Sequence, residues 1–280
     1  MRGLVEDGGG IYTASSNGLT ISGNALSGGV GYGIYLDDPT NNSIVENNTL
    51  TGPNDIGIFL HEVDNTIVRY NAVTGPWTLG YNPDAAGILV KNSASGTNSI
   101  YYNVVNCVDS TRTGITVGYA VNILTEIYNN VMTNCSQGLW IEEGYDNTVN
   151  NVKNNIFYNN TWHMYNFPGV AVSWNYNLYF PNTGTRFGYD SVAYNFANWK
   201  TQSGADANSP APVDPMFVGA SDFQLQPSSP AINAGVSVGL TVDYLGRPFV
   251  GLPDLGAYEY YGYVPGDIQG DFIFHTVPDE

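Results

Sequence analysis

Asp37, His61, Lys91 and Glu142 share one offset in this chain: each lies four residues after a glycine, at Gly33, Gly57, Gly87 and Gly138. Two residues after the same glycines stand Tyr35, Phe59, Leu89 and Trp140, and a degraded copy of the phrase places Tyr165 in that position. A strand turns successive side chains to opposite faces, so with Ile34 and Leu36 inward, Tyr35 and Asp37 face outward. If the glycine phrases stack as neighbouring strands, the outward residues form two columns with steps of about 4.8 Å. The first reads Tyr12, Tyr35, Phe59, Leu89, Thr116, Trp140, Tyr165. The second reads Ala14, Asp37, His61, Lys91, Gly118, Glu142, Phe167. Aromatic faces suit the apolar faces of sugar rings, and a lined groove is where ligands bind. Outward aromatics also follow from strand propensity and cross-strand packing.

Two reactions fit such a face. In β-elimination a base removes the proton beside a uronate carboxylate, and a cation or basic side chain neutralises that carboxylate. Lys91 and His61 are the candidate bases, and Arg112 is a weaker candidate for meeting the substrate carboxylate. Asp37 and Asp38, with Glu62, are oxygen donors of the kind Ca²⁺ takes, so Ca²⁺ is an optional cofactor and none is required. In hydrolysis two carboxylates flank the bond, about 5–5.5 Å apart for retention and roughly 6.5–9.5 Å for inversion. Asp37 or Asp38 with Glu62 spans one repeat, and Glu142 with Glu143 is a second pair. Substrate contacts are expected from Tyr35, Phe59, Trp140, Tyr165, Glu142 and Arg112. Trp77 joins them from the long connection Thr74–Ala86, since insertions in repeat proteins collect on the binding face. His163 takes a glycine's place in the degraded copy, and a structural role is expected for it and for His275.

The elements that must position these residues are short and repeated. Besides the glycine phrase there is a second one: apolar, two variable residues, Asn, one variable residue, apolar. It appears as Ile21…Asn24…Leu26, Val45…Asn48…Leu50, Val68…Asn71…Val73 and Ile100…Asn103…Val105. It continues as Ile127…Asn130…Met132, Val152…Asn155…Phe157 and Trp174…Asn177…Tyr179. Each half-phrase is too short for a helix, alternates with period two and is bounded by Gly, Asn, Asp and Ser, so each reads as a strand between turns. Equivalent strands repeating every few dozen residues predict a coiling chain, with the Asn side chains stacked at one bend. The fold class is therefore all-β, a parallel β-helix.

Composition sets limits on partners. There are 25 acidic against 8 basic residues, a net charge of −17. That excludes the basic patches nucleic acid requires and disfavours an anionic polymer unless a cation bridges the two. No apolar run is long enough to span a membrane, and residues 1–10 hold no signal core. The repeats begin near residue 10, so an N-terminal portion is expected to precede them, making the protein a monomer or part of a longer chain. The Tyr-, Asn- and Gly-rich, Lys-poor composition points to an extracellular or cell-surface setting. Cys107 and Cys135 follow ladder residues by four and five positions. They are either a disulfide between successive turns or two buried thiols.

Three regions are expected: coils over 1–189, a short helix plus cap over 190–260, and a tail over 261–280. Asp190–Gly204 is expected to form the helix, amphipathic with Phe196 and Trp199 on its apolar side, and residues 214–259 are expected to cover the last coil. Here the chain resembles known proteins. Asp214-Pro-Met-Phe217, Asp222-Phe-Gln-Leu225, Ser229-Pro-Ala-Ile232 with Gly235, and Gly256-Ala-Tyr-Glu-Tyr260 are similar, in that order, to the C-terminal region of secreted bacterial β-helix proteins. The coils look like the right-handed parallel β-helix superfamily that includes pectate-lyase-like proteins. That resemblance implies the fold. It spans polysaccharide lyases, glycoside hydrolases, epimerases, adhesins and tailspikes, so it does not choose among them. The expected function is polysaccharide binding with cleavage along the outward face. The alternative is a non-catalytic polysaccharide-binding or adhesin module.

Overall fold

The computed structural model describes residues 8–29, 31–52, 55–75, 85–93, 95–108, 111–118, 124–142, 148–166 and 173–262. Each coil contributes one strand to each of three sheets. The first sheet has nine strands and the other two have seven. Every neighbouring pair within a sheet is parallel until the last strand of the first sheet, where Phe187–Tyr189 pairs antiparallel with Val192–Tyr194. The result is a right-handed parallel β-helix, the hand that parallel crossovers take.

The glycine phrase forms the strands of the first sheet: Gly9–Ala14, Tyr32–Asp37, Ile58–His61, Ala86–Lys91, Thr113–Gly118, Gln137–Ile141 and Trp162–Asn166. Glycine is required at their starts. A Cβ on Gly33 would stand 2.5 Å from both the Gly57 carbonyl oxygen and a methyl of Leu50. The Asn phrase is two strands rather than the single one expected. Ile44–Glu46 and Thr49–Thr51 flank a bend at Asn47-Asn48, and the same split recurs up the coils. The residue before each ladder Asn is left-handed: Gly23, Asn47, Tyr70, Tyr102, Asn129, Asn154 and Tyr176 all have φ between 51° and 72°. That backbone turns the chain sharply enough to end one strand and begin the next.

The ladder itself runs one way. Asn24, Asn48, Asn71, Asn103, Asn130 and Asn155 each donate Nδ2 to the Oδ1 of the next Asn at 2.9–3.1 Å. Each Oδ1 also accepts the backbone N–H of the preceding Asn, as Asn71 does from Asn48 at 3.0 Å. Inward apolar columns from the three sheets fill the interior, with Ile58 and Leu60, Val68, and Val73 from one coil all fully buried. Burial of such side chains contributes about 1.5–3 kcal/mol each.

Cys107 and Cys135 form a disulfide with Cα atoms 4.9 Å apart, joining adjacent coils. The 28-residue separation makes the loop large enough that its reduction should cost about 3–4 kcal/mol. Urea unfolding of the Cys107→Ala/Cys135→Ala protein checks this; a midpoint equal to wild type would show that the bond adds nothing to the stacked coils.

The C-terminal region departs from expectation in two places. The helix is shorter than Asp190–Gly204: it spans Phe196–Ser203, capped by Asn195 through the Asn198 N–H and ended by left-handed Gly204. Residues before it make the antiparallel turn that closes the sheet edge. This helix, through fully buried Trp199 against Trp174 and Phe187, covers the end of the core. Residues 214–260 instead pack along the flank of the coils. Phe223, Leu225, Ala231, Leu255 and Ala257 bury Val104, Val131, Ile156 and Leu178. Asn129 and Asn154 bond this segment through Asp254, Gly256 and Val236. The reason is the outward residues of the third sheet, which are apolar on this flank and need a partner. The tail beyond residue 262 lies outside the described residues.

Candidate functional site

The register expected for the ionisable row holds. Ala14 pairs with Asp37, and Lys91 pairs with His61 on one side and Gly118 on the other. The row lies where the first-sheet strands end and the chain turns through left-handed Ser15, Glu62 and Asn92.

Asp37 and His61 form the centre. Asp37 Oδ1 is 2.8 Å from His61 Nδ1, and His61 Nε2 is 3.0 Å from Asn92 Nδ2. The carboxylate can only accept, so Nδ1 carries the proton and Nε2 presents its lone pair toward the Asn92 amide. Tyr12 donates its hydroxyl to Asp37 Oδ2 at 2.9 Å, and the Asp38 N–H donates to Oδ1 at 2.9 Å. Partial burial raises the Asp37 carboxyl, but hydrogen bonds from His61, Asp38, Tyr12 and Tyr35 outweigh it and hold the group below the usual range. Asp37 therefore stays ionised and keeps the imidazole tautomer set.

Glu62 is exposed and approaches His61 from the other side, with Oε1 3.8 Å from Nε2. The imidazole thus contacts a carboxylate at each ring nitrogen, Asp37 at Nδ1 and Glu62 at Nε2. Asp38 is exposed, and Asp37 has both oxygens engaged by donors. Among the described residues no three His, Cys, Asp or Glu side chains are grouped to hold a metal ion.

Glu142 keeps its expected place in the row but folds over its neighbour. It is 5% exposed, and a Cβ on Gly118 would stand 2.7 Å from its Cδ, so its carboxylate fills the space above Gly118 beside Lys91. Glu143 lies outside the described residues, as do Trp77, Phe167 and His275. Arg112 is not part of this row. It sits just before the start of its strand, six residues and roughly 20 Å from Gly118, where its charge acts on Asp55.

The aromatic column is outward as expected, but it is not an open platform. Tyr35 and Phe59 stack at 4.8 Å and are 4% and 5% exposed, while Leu89 and Thr116 are fully buried. With Tyr32, Ile56 and Ala86 they form a second apolar cluster outside the coil interior. The alternation is as expected, and the outward side has its own core. Open aromatic surface remains at the two ends of the column. Tyr12 is 47% exposed at one end, and Trp140 and Tyr165 are half-buried neighbours at the other, with Trp162 edge-on to Tyr165 at 5.8 Å. Trp140's strand is three steps from that of His61, about 14 Å.

Asn92 and Trp162 were not singled out from the sequence, and Tyr12 was placed in the aromatic column but not beside Asp37. Asn92 had a readable signal: an Asn directly after a strand end tolerates the left-handed turn that aims its amide back at the neighbouring coil. His163 is sealed between Tyr179 and Phe187, with Nε2 donating to the Pro181 carbonyl at 3.1 Å. No helix among the described residues is long and apolar enough to cross a membrane.

Residues 4–106 match a family model described as periplasmic copper-binding protein (NosD). No curated protein matches the chain. Among solved structures, the crystal structure of pectate lyase Pel9A is similar at 15% identity, covering 81% of this chain and 73% of that one with a TM-score of 0.39.

Proposed function

We propose that the protein is a secreted carbohydrate-active β-helix protein that binds a polysaccharide along the outward face of its first sheet and cleaves it by β-elimination. The observation that carries this reading is the 2.8 Å contact between Asp37 and His61, which fixes Nε2, one strand from Lys91, as the acceptor nitrogen; the exposed Asn92 amide that it now meets turns aside for the substrate. Nε2 takes the proton beside a uronate carboxylate, whose charge Lys91 meets. The released electron pair forms the double bond, the glycosidic C–O bond breaks, and the leaving oxygen takes a proton from solvent. Trp140 and Tyr165 hold sugars further along the chain. The Cys107–Cys135 disulfide supports an oxidising, extracytoplasmic setting.

Copper binding, stated of the family matched over residues 4–106, does not fit the donors described. Both cysteines are tied together, His163 is sealed in the core, and His61 has no grouping of three His, Cys, Asp or Glu side chains about it among the described residues.

The test incubates the protein with neutral and acidic polysaccharides, with and without Ca²⁺, following reducing ends and unsaturated-uronate absorbance. Absorbance that falls about 10²–10⁴-fold in His61→Ala is the expected result. Reducing ends without absorbance would replace elimination by hydrolysis. Retarded migration in polysaccharide gels without any cleavage would leave a binding module, a reading favoured by the acid excess.

A further inference from the structure

A second group of ionisable side chains lies where residues 214–260 meet the flank of the coils, away from His61. Asp243 is fully buried and accepts Arg247 Nε and Nη2 at 3.0 and 2.6 Å, and also the Glu259 N–H at 3.1 Å. Asp254 accepts the Asn233 and Tyr260 N–H groups, both at 2.6 Å. Glu259 is 4% exposed. Its Oε1 accepts the Asp254 N–H at 2.8 Å, while its Oε2 is buried with no hydrogen-bond partner. Across the interface, the fully buried Tyr102 hydroxyl also lacks a partner, and it is close enough to Glu259 to feel its charge.

Three carboxyls thus share one guanidinium, and Arg247 is spent on Asp243. An ionised Glu259 would place a second negative charge beside Asp243 and Asp254, with one oxygen unsatisfied and water excluded. That arrangement is costly. The neutral acid avoids the charge and turns Oε2 into a donor. On the coil side Tyr102, Tyr70 and Tyr101 face this group, with Arg69 held by Glu46 behind them. On its own segment Tyr244, Tyr258 and Tyr261 complete the surroundings, Tyr261 with its ring under the Arg247 guanidinium.

We propose that residues 214–260 form a pH-released clasp on the coils, closed while Glu259 is the neutral acid and opened by its ionisation. Burial is the main cause that raises the Glu259 carboxyl from 4.5 to about 7; hydrogen bonds from the Asp254 and Val250 backbone oppose it, and the Asp254 and Asp243 charges add to it. Because the docked value lies above the ordinary one, this contribution to docking is complete below pH 4.5 and is lost as pH rises through about 7. Opening uncovers the apolar strip Val104, Val131, Ile156 and Leu178, and breaks the bonds of Asn154 to Val236 and Gly256. The device is independent of any reaction at His61.

Amide hydrogen exchange in the full chain tests it, with rates corrected for their intrinsic pH dependence. The Val236 and Gly256 N–H groups, both bonded to Asn154, should lose roughly 300-fold protection between pH 4.5 and 8.5, the factor equivalent to the shift. The Leu60 and Val90 amides within the coils should keep theirs. Glu259→Gln, neutral at every pH, should hold protection at Val236 and Gly256 constant. A parallel NMR titration of the wild-type Glu259 carboxyl needs no variant and should show a midpoint near 7. Protection that does not change with pH, an equal loss in Glu259→Gln, or a midpoint at the ordinary glutamate value would overturn the proposal.

Discussion

Replacing Asp206 by alanine should lower the unfolding free energy by about 3–5 kcal/mol. The Asn ladder donates in one direction through seven amides, Asn24 to Asn177, and Asp206 ends it. Its Oδ1 accepts Asn177 Nδ2 at 3.2 Å and Ser209 Oγ at 2.5 Å; its Oδ2 accepts the Tyr179 hydroxyl at 2.7 Å and Trp199 Nε1 at 2.8 Å. The site is fully buried, so alanine leaves four donors with no water to turn to. It also releases Trp199, whose helix closes the end of the core. Burial raises the Asp206 carboxyl although these four donors pull it down. Asp206→Asn should lose less, since one oxygen survives while the new amide meets the Trp199 N–H donor to donor. Urea unfolding followed by tryptophan fluorescence measures both. A loss under about 1 kcal/mol for the alanine variant would mean that the ladder ends without needing this acceptor.

Acid should destabilise the protein through His163. Burial lowers its imidazole from 6.5 to about 3; the Arg186 charge adds to this, and the hydrogen bond to the Pro181 carbonyl opposes it. The folded value is depressed, so the unfolded chain binds the proton first as pH falls. The contribution is complete above pH 6.5 and is lost progressively toward pH 3. It amounts to about 2 kcal/mol by pH 5 and about 4–5 kcal/mol by pH 3. His163→Phe keeps a ring between Tyr179 and Phe187 and removes the titration. The difference in stability between wild type and this variant should therefore grow as pH falls from 7 to 5. A difference that stays constant would show that His163 ionises in place.

The coils were readable because a solenoid repeats its physics at every turn. Gly33, Gly57 and Gly138 recur because each strand start lies against the next one's carbonyl. Asn48, Asn71 and Asn103 recur because an amide that both donates and accepts is satisfied by a copy of itself one strand away. The same regularity placed Asp37, His61 and Lys91 in one row before any coordinates. Period two also sent Tyr35 and Phe59 outward correctly. It carried no information about what lies over them, and that is why an expected sugar platform became a second apolar cluster.

Contacts made once, between parts that do not repeat, had no such signal. Asn92 reaching His61, Glu142 folding over Gly118, and Asp206 receiving the ladder all depend on where one side chain meets another coil or the chain's end. The Asp-Pro-Met-Phe and Gly-Ala-Tyr-Glu-Tyr motifs marked residues 214–260 as a unit, but not its position along the flank. The tertiary structure decided that position, because the apolar outer side of the third sheet runs down the flank while Trp199 already fills the end. Sequence by itself determined the period, the direction of each side chain in the coils and the order of the ionisable row. Tertiary structure decided which of those outward positions meet solvent and which are paired, since burial depends on the neighbours a residue acquires and not on its place in a repeat.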